Sequence, residues 1–96
     1  MSYNWNTRTE LLLGAERMEY LSHCHVLVVG LGGVGAYAAE QICRAGIGHM
    51  TIVDADTVND SNINRQLPAL HSTLGMQKAE VVGQRLLDIN PRLKLK

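Results

Sequence analysis

The chain has 96 residues, of which 46% are hydrophobic, and nine basic and nine acidic residues give a formal net charge of zero. This length suits one small domain or part of one, and a neutral balance excludes nucleic-acid or membrane binding driven by bulk charge alone. No apolar run is long enough to cross a membrane, and residues 1–10 lack the apolar core of a signal peptide. We therefore expect a cytoplasmic protein without a membrane partner, whose two cysteines, Cys24 and Cys43, are reduced.

The first part of the chain predicts a helical arm followed by a strand and a helix. The arm covers residues 1–23, and its helical pattern from Thr9 to about Leu21 is expected to divide at Gly14. The β-branched run 25–29 predicts a buried parallel strand. Residues 33–45 then predict a helix with these apolar positions on one face: Val34, Ala38, Ile42 and Ala45.

The second part repeats the alternation of strand and helix. Residues 49–53 predict a second strand, a long polar segment runs from Ala55 to about Thr73, and residues 75–89 predict a third helix. Residues 93–96 have the pattern of the start of a third strand. This order predicts an α/β fold, the N-terminal half of a Rossmann-like doubly wound parallel sheet preceded by short helices. We expect residues 24–96 to be a truncated βαβ nucleotide-binding portion, because the sequence stops as the third strand begins.

A glycine loop joins the first strand to the next helix. Gly30, Gly32 and Gly35 form a GxGxxG pattern, which allows a tight turn and lets backbone amides at a helix N-terminus approach phosphate. Asp54 ends the second strand about 20 residues further on, the spacing typical of a carboxylate that accepts from ribose hydroxyls. Both features fit NAD as well as ATP.

The segment after Asp54 favours ATP. It must lie at the same sheet edge as the glycine loop, and it carries Arg65, whose guanidinium suits phosphate oxygens. Lys78 is expected in the first turn of the third helix, with its side chain leaning back toward the same crevice. Two cations near a helix dipole predict a triphosphate site, with neutral hydrogen-bonding groups supplied by Asn62, Asn64 and Gln66. The alternatives are a surface ion pair between Arg65 and Asp56 or Asp60, and a solvated lysine.

These residues together resemble a known family. Gly30-Leu-Gly-Gly-Val-Gly35, Asp54-x-Asp56, Ser61-Asn-Ile-Asn-Arg-Gln66 and Lys78 are similar to motifs of the ThiF/MoeB and ubiquitin-activating-enzyme superfamily. Three further stretches, 8–14, 69–75 and 85–91, look most like the tRNA threonylcarbamoyladenosine dehydratases. The resemblance covers nearly the whole chain, residues 1–96, but only the N-terminal part of such an ATP-binding adenylating domain.

The resemblance implies an ATP-dependent enzyme of the ligase or adenylating type. ATP and Mg²⁺ are the implied cofactors, and the implied substrate is the threonylcarbamoyl carboxylate of a modified tRNA adenosine, which is adenylated and then cyclises. Arg65 and Lys78 would be catalytic, and the implied nucleotide-binding set is Gly30, Gly32, Gly33, Gly35, Asp54, Asp56, Asn62, Arg65, Gln66 and Lys78. Arg8 would reach the ATP of a partner subunit, which implies a homodimer.

Three other functions compete with this interpretation. A relative that activates the C-terminus of a ubiquitin-like sulfur carrier would share the same ATP site. An NAD-binding redox domain would share the glycine loop, but Arg65 and Lys78 argue against it. A non-catalytic dimerisation module would not need Asp54, Arg65 and Lys78 together. The family's magnesium-binding aspartate is expected beyond Lys96, so no metal ligand is assigned here, and we expect the 96-residue chain alone to be inactive and to bind ATP weakly.

Overall fold

The computed structural model describes residues 5–96. Its first elements are two short helices, α1 (Thr7–Leu13) and α2 (Ala15–Ser22), which meet at Gly14. The predicted division of the arm at Gly14 is therefore confirmed, although helix begins two residues before Thr9. Residues 1–4 of the predicted arm lie outside the described residues. Within residues 5–96 no helix is both long and apolar enough to span a bilayer.

Strands and helices alternate through the rest of the chain. The elements are β1 (His25–Val29), α3 (Gly35–Arg44), β2 (His49–Val53), α4 (Lys78–Ile89) and β3 (Lys94–Leu95), with 3₁₀ turns at Asp60–Asn62 and His71–Thr73 in the long segment between β2 and α4. The bounds of β1 and β2 match the prediction. Helix α4 starts three residues later than predicted, because Gln77 pairs with Thr57 in an antiparallel bridge and is held in extended backbone.

The three strands form one parallel sheet in the order β1-β2-β3. His25 is in register with His49, and His49 with Lys94, so the amino ends of all three strands share one edge. The carboxyl ends of β1 and β2 then share the opposite edge, where the glycine loop and Asp54 follow. This is the predicted α/β arrangement of a Rossmann-like N-terminal portion.

The core lies between the sheet and the two long helices. Leu31, Met50 and Leu86 are among its fully buried members, and Val82 of α4 packs with them. The predicted face of α3 is correct only in part: Ile42 packs against the core, but Val34 is 82% exposed and Ala45 is exposed. The buried face consists instead of Ala36, Ala39, Glu40 and Cys43. Small alanines let α3 approach the sheet closely, so the larger Val34 is left at the surface.

One face of the sheet is not covered by the described residues. Leu27 is 62% exposed and Val29 is 71% exposed, while the alternate residues Val26 and Val28 pack on the core. The predicted burial of β1 is therefore found on one of its two faces within residues 5–96. The reason is that α3 and α4 contact each other as well as the sheet, so both lie on the same side of it.

An ion pair with a buried carboxylate joins the two long helices. Glu40 of α3 is 8% exposed, and its carboxylate accepts a hydrogen bond from Nε of Arg85 in α4. Arg44, one turn further along α3, lies 3.7 Å from the same carboxylate. The carboxylate is thus compensated by two guanidinium groups, as a buried charge requires.

Candidate functional site

The glycine loop makes a turn that only glycine can make at two positions. Gly30 has a φ of 87°, in the left-handed region that other residues avoid. At Gly35, the first residue of α3, a Cβ atom would lie 1.7 Å from the carbonyl oxygen of Gly30. The loop therefore folds back on itself, and the N-terminus of α3 opens at the carboxyl edge of the sheet. Free amides at such a helix end attract anions.

Asp54 connects the loops that follow β1 and β2. Its Oδ2 accepts a hydrogen bond from the Leu31 N–H at 2.7 Å, and its Oδ1 accepts one from the Asp56 N–H at 2.8 Å. A carboxylate has about four acceptor positions, so both oxygens can still accept from a ligand hydroxyl. Asp54 is half-buried, and its position beside the glycine loop agrees with the sequence prediction.

Lys78 is buried without a negative partner. It is 5% exposed and is the first residue of α4, where its N–H donates to the Asp56 carbonyl at 3.0 Å. Among residues 5–96, no carboxylate oxygen lies within 4.0 Å of its ammonium group, and no side-chain hydrogen bond holds it. The side chain is therefore mostly packed rather than surrounded by solvent, although its ammonium nitrogen is not among the buried polar atoms that lack a hydrogen-bond partner. The ammonium keeps contact with solvent and is open to an anion.

Arg65 is exposed and also lacks a carboxylate. Its Nη1 donates to the Ser61 carbonyl at 3.0 Å and to the Asn64 side-chain oxygen at 2.9 Å. Within the described part of the chain it forms no ion pair with Asp56 or Asp60, so that alternative was wrong. Neutral oxygens orient the guanidinium without cancelling its charge, and the remaining N–H groups are left for another acceptor.

Asn62 and Gln66 differ in what their side chains do. Asn62 is 6% exposed, and its Oδ1 accepts from the Asn59 N–H at 3.1 Å, so it caps its own 3₁₀ turn. The Gln66 carboxamide lies over the glycine loop: Nε2 is 3.3 Å from where a Cβ on Gly32 would stand. Of the two side chains, Gln66 reaches the glycine loop, whereas the side-chain oxygen of Asn62 already accepts a hydrogen bond from the Asn59 N–H.

Short contacts join several of the predicted residues at one edge of the sheet. The Asp54 carboxylate accepts a hydrogen bond from the glycine loop, and the Asp56 carbonyl accepts one from the first residue of α4. The Gln66 side chain lies close to Gly32. Arg8 is exposed on α1 in the arm, and it has no ion pair with any described residue.

Sequence reasoning missed one participant. The N–H of Leu31 holds Asp54, and because any residue has a backbone N–H, no sequence signal could have identified it.

Comparison with known proteins identifies the family. Residues 3–96 match the sequence profile of the ThiF family. The chain belongs to the ThiF family. It is 45% identical over 89 residues to tRNA threonylcarbamoyladenosine dehydratase of Bacillus subtilis, covering 93% of this chain and 35% of that protein. It is 41% identical over 80 residues to molybdopterin-synthase adenylyltransferase of Salmonella typhimurium, covering 83% of this chain and 32% of that one.

A solved structure shows the same similarity in three dimensions. The Escherichia coli tRNA N6-threonylcarbamoyladenosine dehydratase in complex with ATP superposes with a TM-score of 0.91 at 41% identity, covering 99% of this chain and 40% of that one. This ThiF-family chain therefore spans 32% to 40% of the length of these relatives. The fold that it shares with them is the Rossmann-like part that contains the glycine loop.

Two further observations on this ThiF-family chain concern metal ligands and thiols. Among the described residues, no group of three His, Cys, Asp or Glu side chains could hold a metal ion. Both cysteines are free thiols, as expected. Burial is the largest cause of a raised pKa at Cys43, so its thiol stays protonated and is a poor nucleophile.

Proposed function

We propose that this protein is the nucleotide-binding part of an enzyme that adenylates a carboxylate with ATP and Mg²⁺. The substrate that we favour is the threonylcarbamoyl group of a modified tRNA adenosine, because the B. subtilis and E. coli relatives are tRNA threonylcarbamoyladenosine dehydratases. A carboxylate oxygen attacks the α-phosphorus, the bond to pyrophosphate breaks, and the acyl adenylate then cyclises within the modification with loss of AMP. We further propose that the enzyme works in the cytoplasm.

The observation that carries the proposal is the mostly buried Lys78 side chain, whose ammonium group has no carboxylate partner among residues 5–96. It is 5% exposed beside the Asp54–Asp56 segment, and residues 5–96 offer it no carboxylate. A bound polyphosphate would supply the missing negative charge. Negative charge also develops on the α-phosphoryl group and on the leaving pyrophosphate, and a fixed cation in a partly dry site stabilises that charge strongly.

Each remaining site residue has a role that its position supports. The amides at the N-terminus of α3 would bind phosphate oxygens, and Asp54 would accept from the ribose hydroxyls with both carboxylate oxygens. Arg65 would add a second cation near the phosphates. In this proposal Lys78 and Arg65 are the catalytic residues, and Asp56 fixes the start of α4 through its carbonyl oxygen.

We also propose that two copies of the chain associate through the N-terminal arm. Arg8, Leu11 and Leu12 follow the spacing that places side chains on one face of a helix. Leu11 is 68% exposed and Leu12 is 82% exposed. An arginine bordered by exposed leucines suits a contact in which the leucines bind the partner and Arg8 reaches that partner's nucleotide.

Lys78→Met tests the proposal directly. The methionine keeps most of the buried stem but removes the charge, so the free protein should fold with unchanged or higher stability. Loss of a charge-assisted contact of about 1.5–3 kcal/mol should weaken ATP binding about 10- to 100-fold. The measurement is the thermal shift of the 96-residue chain with millimolar ATP, which registers even weak binding.

The matched control is Lys94→Met, an exposed lysine of β3 at the far edge of the sheet, which should leave the ATP shift unchanged. An equal loss of the ATP shift in both variants would contradict the proposal. NAD in place of ATP should give no shift that depends on Lys78, and a larger shift with NAD would favour the redox alternative.

A second function has a specific observation in its favour. Molybdopterin-synthase adenylyltransferase of S. typhimurium is 41% identical over 83% of the chain, so the acceptor could instead be the C-terminus of a ubiquitin-like sulfur carrier. ATP–pyrophosphate exchange by the full-length protein separates the two. Exchange that depends on threonylcarbamoylated tRNA supports our proposal, and exchange that depends on the carrier protein overturns it.

A further inference from the structure

A short antiparallel backbone ladder joins the start of α4 to the segment that follows β2. Residues 56–58 form one side of this ladder and residues 75–78 form the other, and we call the pair the clasp. At one end of the clasp the Lys78 N–H donates to the Asp56 carbonyl at 3.0 Å. The backbone from which the Lys78 side chain extends is therefore fixed by a partner that is more than 20 residues away in sequence.

Val58 holds the other end of the clasp. Its N–H donates to the Met76 carbonyl at 2.8 Å, and its carbonyl accepts from the Gly75 N–H at 2.9 Å. Its side chain is 2% exposed. A slip of one residue in the pairing would turn this side chain to the opposite face. The burial of Val58 therefore fixes which residues pair, and with them the residue at which α4 begins.

A type II β-turn at residues 73–76 directs the chain back into the clasp. Leu74 has a φ of −52° and a ψ of 131°, and Gly75 has a φ of 84°. The Met76 N–H donates to the Thr73 carbonyl at 3.0 Å. The third residue of such a turn needs a positive φ and is therefore glycine or asparagine. Apart from its chain neighbours, no atom lies within 4 Å of where a Gly75 Cβ would stand, so the backbone angle and not the available space requires glycine here.

We propose that Gly75 is a positioning residue for Lys78: its turn forms the clasp, and the clasp places the ammonium group where a polyphosphate binds. This inference rests on the proposed function and deepens it, because it assigns a part in nucleotide binding to a residue without a side chain. Lys78 has no carboxylate partner among residues 5–96, so no ion pair there shares this task with the backbone.

Gly75→Ala and Gly75→Asn form the test pair. Alanine disfavours a positive φ, whereas asparagine tolerates it, so Gly75→Ala should disturb the turn and Gly75→Asn should preserve it. The apparent Kd for ATP, from thermal shifts over a series of ATP concentrations, should rise about 5-fold in Gly75→Ala and less than about 2-fold in Gly75→Asn. In a Lys78→Met background, Gly75→Ala should change the Kd less than about 2-fold, because the charge that the clasp positions is gone.

A second measurement needs no nucleotide. Acetylation of the free protein by an N-hydroxysuccinimide ester, read by mass spectrometry, compares the buried Lys78 with the exposed Lys94. Gly75→Ala should raise the ratio of Lys78 to Lys94 modification at least about 2-fold, because the clasp opens more often. Gly46→Ala is the matched control. It strains a φ of 106° between α3 and β2, at the opposite edge of the sheet, beside the flexible end of Met18, and it should change neither the ratio nor the Kd for ATP.

The outcomes separate this inference from the proposed function. An equal rise in Kd with and without the Lys78 charge would show that Gly75 affects ATP binding by another route, and the inference would be overturned. Equal losses in Gly75→Ala and Gly75→Asn, or an unchanged acetylation ratio in Gly75→Ala, would overturn it as well. If wild type does not respond to ATP, the proposed function fails, and the acetylation ratio still decides whether the turn holds Lys78.

Discussion

The glycine-loop edge of the sheet is held by internal contacts, whereas the N-terminal arm leaves apolar side chains exposed. At the loop edge, Asp54 accepts two backbone hydrogen bonds and Gly35 fits directly against the Gly30 carbonyl. In the arm, Leu12 is 82% exposed and Tyr20 is 72% exposed. The first region is held by contacts within its own loops, whereas the second leaves large apolar side chains exposed within residues 5–96. The geometry of the loop edge is thus set locally, and the exposed surface of the arm is what the proposed association would cover.

The largest effect on stability is expected from Gly35→Ala, because the loop edge has the least free space at this position. The new Cβ would stand 1.7 Å from the Gly30 carbonyl oxygen, so the backbone of the loop or of α3 has to move. We expect a loss of at least about 3 kcal/mol in the free energy of unfolding, measured by chemical denaturation.

Gly33→Ala is the matched control for that substitution. Nothing lies within 4 Å of the position of its Cβ, so the free energy of unfolding should change by less than about 1 kcal/mol. A comparable loss in both variants would show that the loop tolerates no side chain at all, and the argument from the contact at Gly35 would fail.

A smaller effect is expected from Asp54→Ala, which removes the link between the two loops. The Leu31 and Asp56 N–H groups both lose their acceptor, and we expect a loss of about 2 kcal/mol in unfolding free energy. Asp54→Asn keeps one acceptor oxygen and should lose roughly half as much. Hydrogen exchange at the Leu31 amide should accelerate in the alanine variant, and unchanged exchange there would rule out the link.

The smallest effect on stability is expected in the arm. Leu12→Ala removes an exposed side chain and should change the unfolding free energy by less than about 0.5 kcal/mol, whereas Leu86→Ala in the core should cost about 2–5 kcal/mol. If the arm is the dimer contact, Leu12→Ala should instead weaken self-association, measured by sedimentation velocity. A large stability loss at Leu12 in monomeric protein would show that the arm is packed on its own domain.

Local sequence patterns predicted the strands and part of the site. Gly30 and Asp54 directly follow the β-branched runs of β1 and β2, so the ends of both strands could be predicted. The spacing from the glycine loop predicted that Asp54 lies beside it. The start of α4 could not be predicted in this way, because it depends on the bridge between Thr57 and Gln77, which are distant in sequence. The buried face of α3 was predicted only in part, since periodicity gave weight to the bulk of Val34 and did not indicate that Glu40 and Cys43 are buried.

The side-chain contacts of the site were the least predictable part. Lys78 could be placed in the first turn of a helix, but its burial depends on how the segment after Asp54 packs beside it. The close approach of the Gln66 side chain to Gly32 depends on the path of the loop. No pattern in the sequence predicted the 3₁₀ turns of that loop. Such contacts follow from tertiary geometry, so sequence motifs name the residues without fixing what they touch.

The ion pair of Glu40 with Arg85 bears on the spacing of the site, although it lies away from it. With a rise of 1.5 Å per residue, Glu40 is about 8 Å along α3 from Gly35, and Arg85 is about 10 Å along α4 from Lys78. The pair therefore braces the two helices at similar distances behind their N-termini. The packing of α3 against α4 consequently depends in part on this pair, and we expect a substitution at Glu40 to loosen the spacing of the two N-termini.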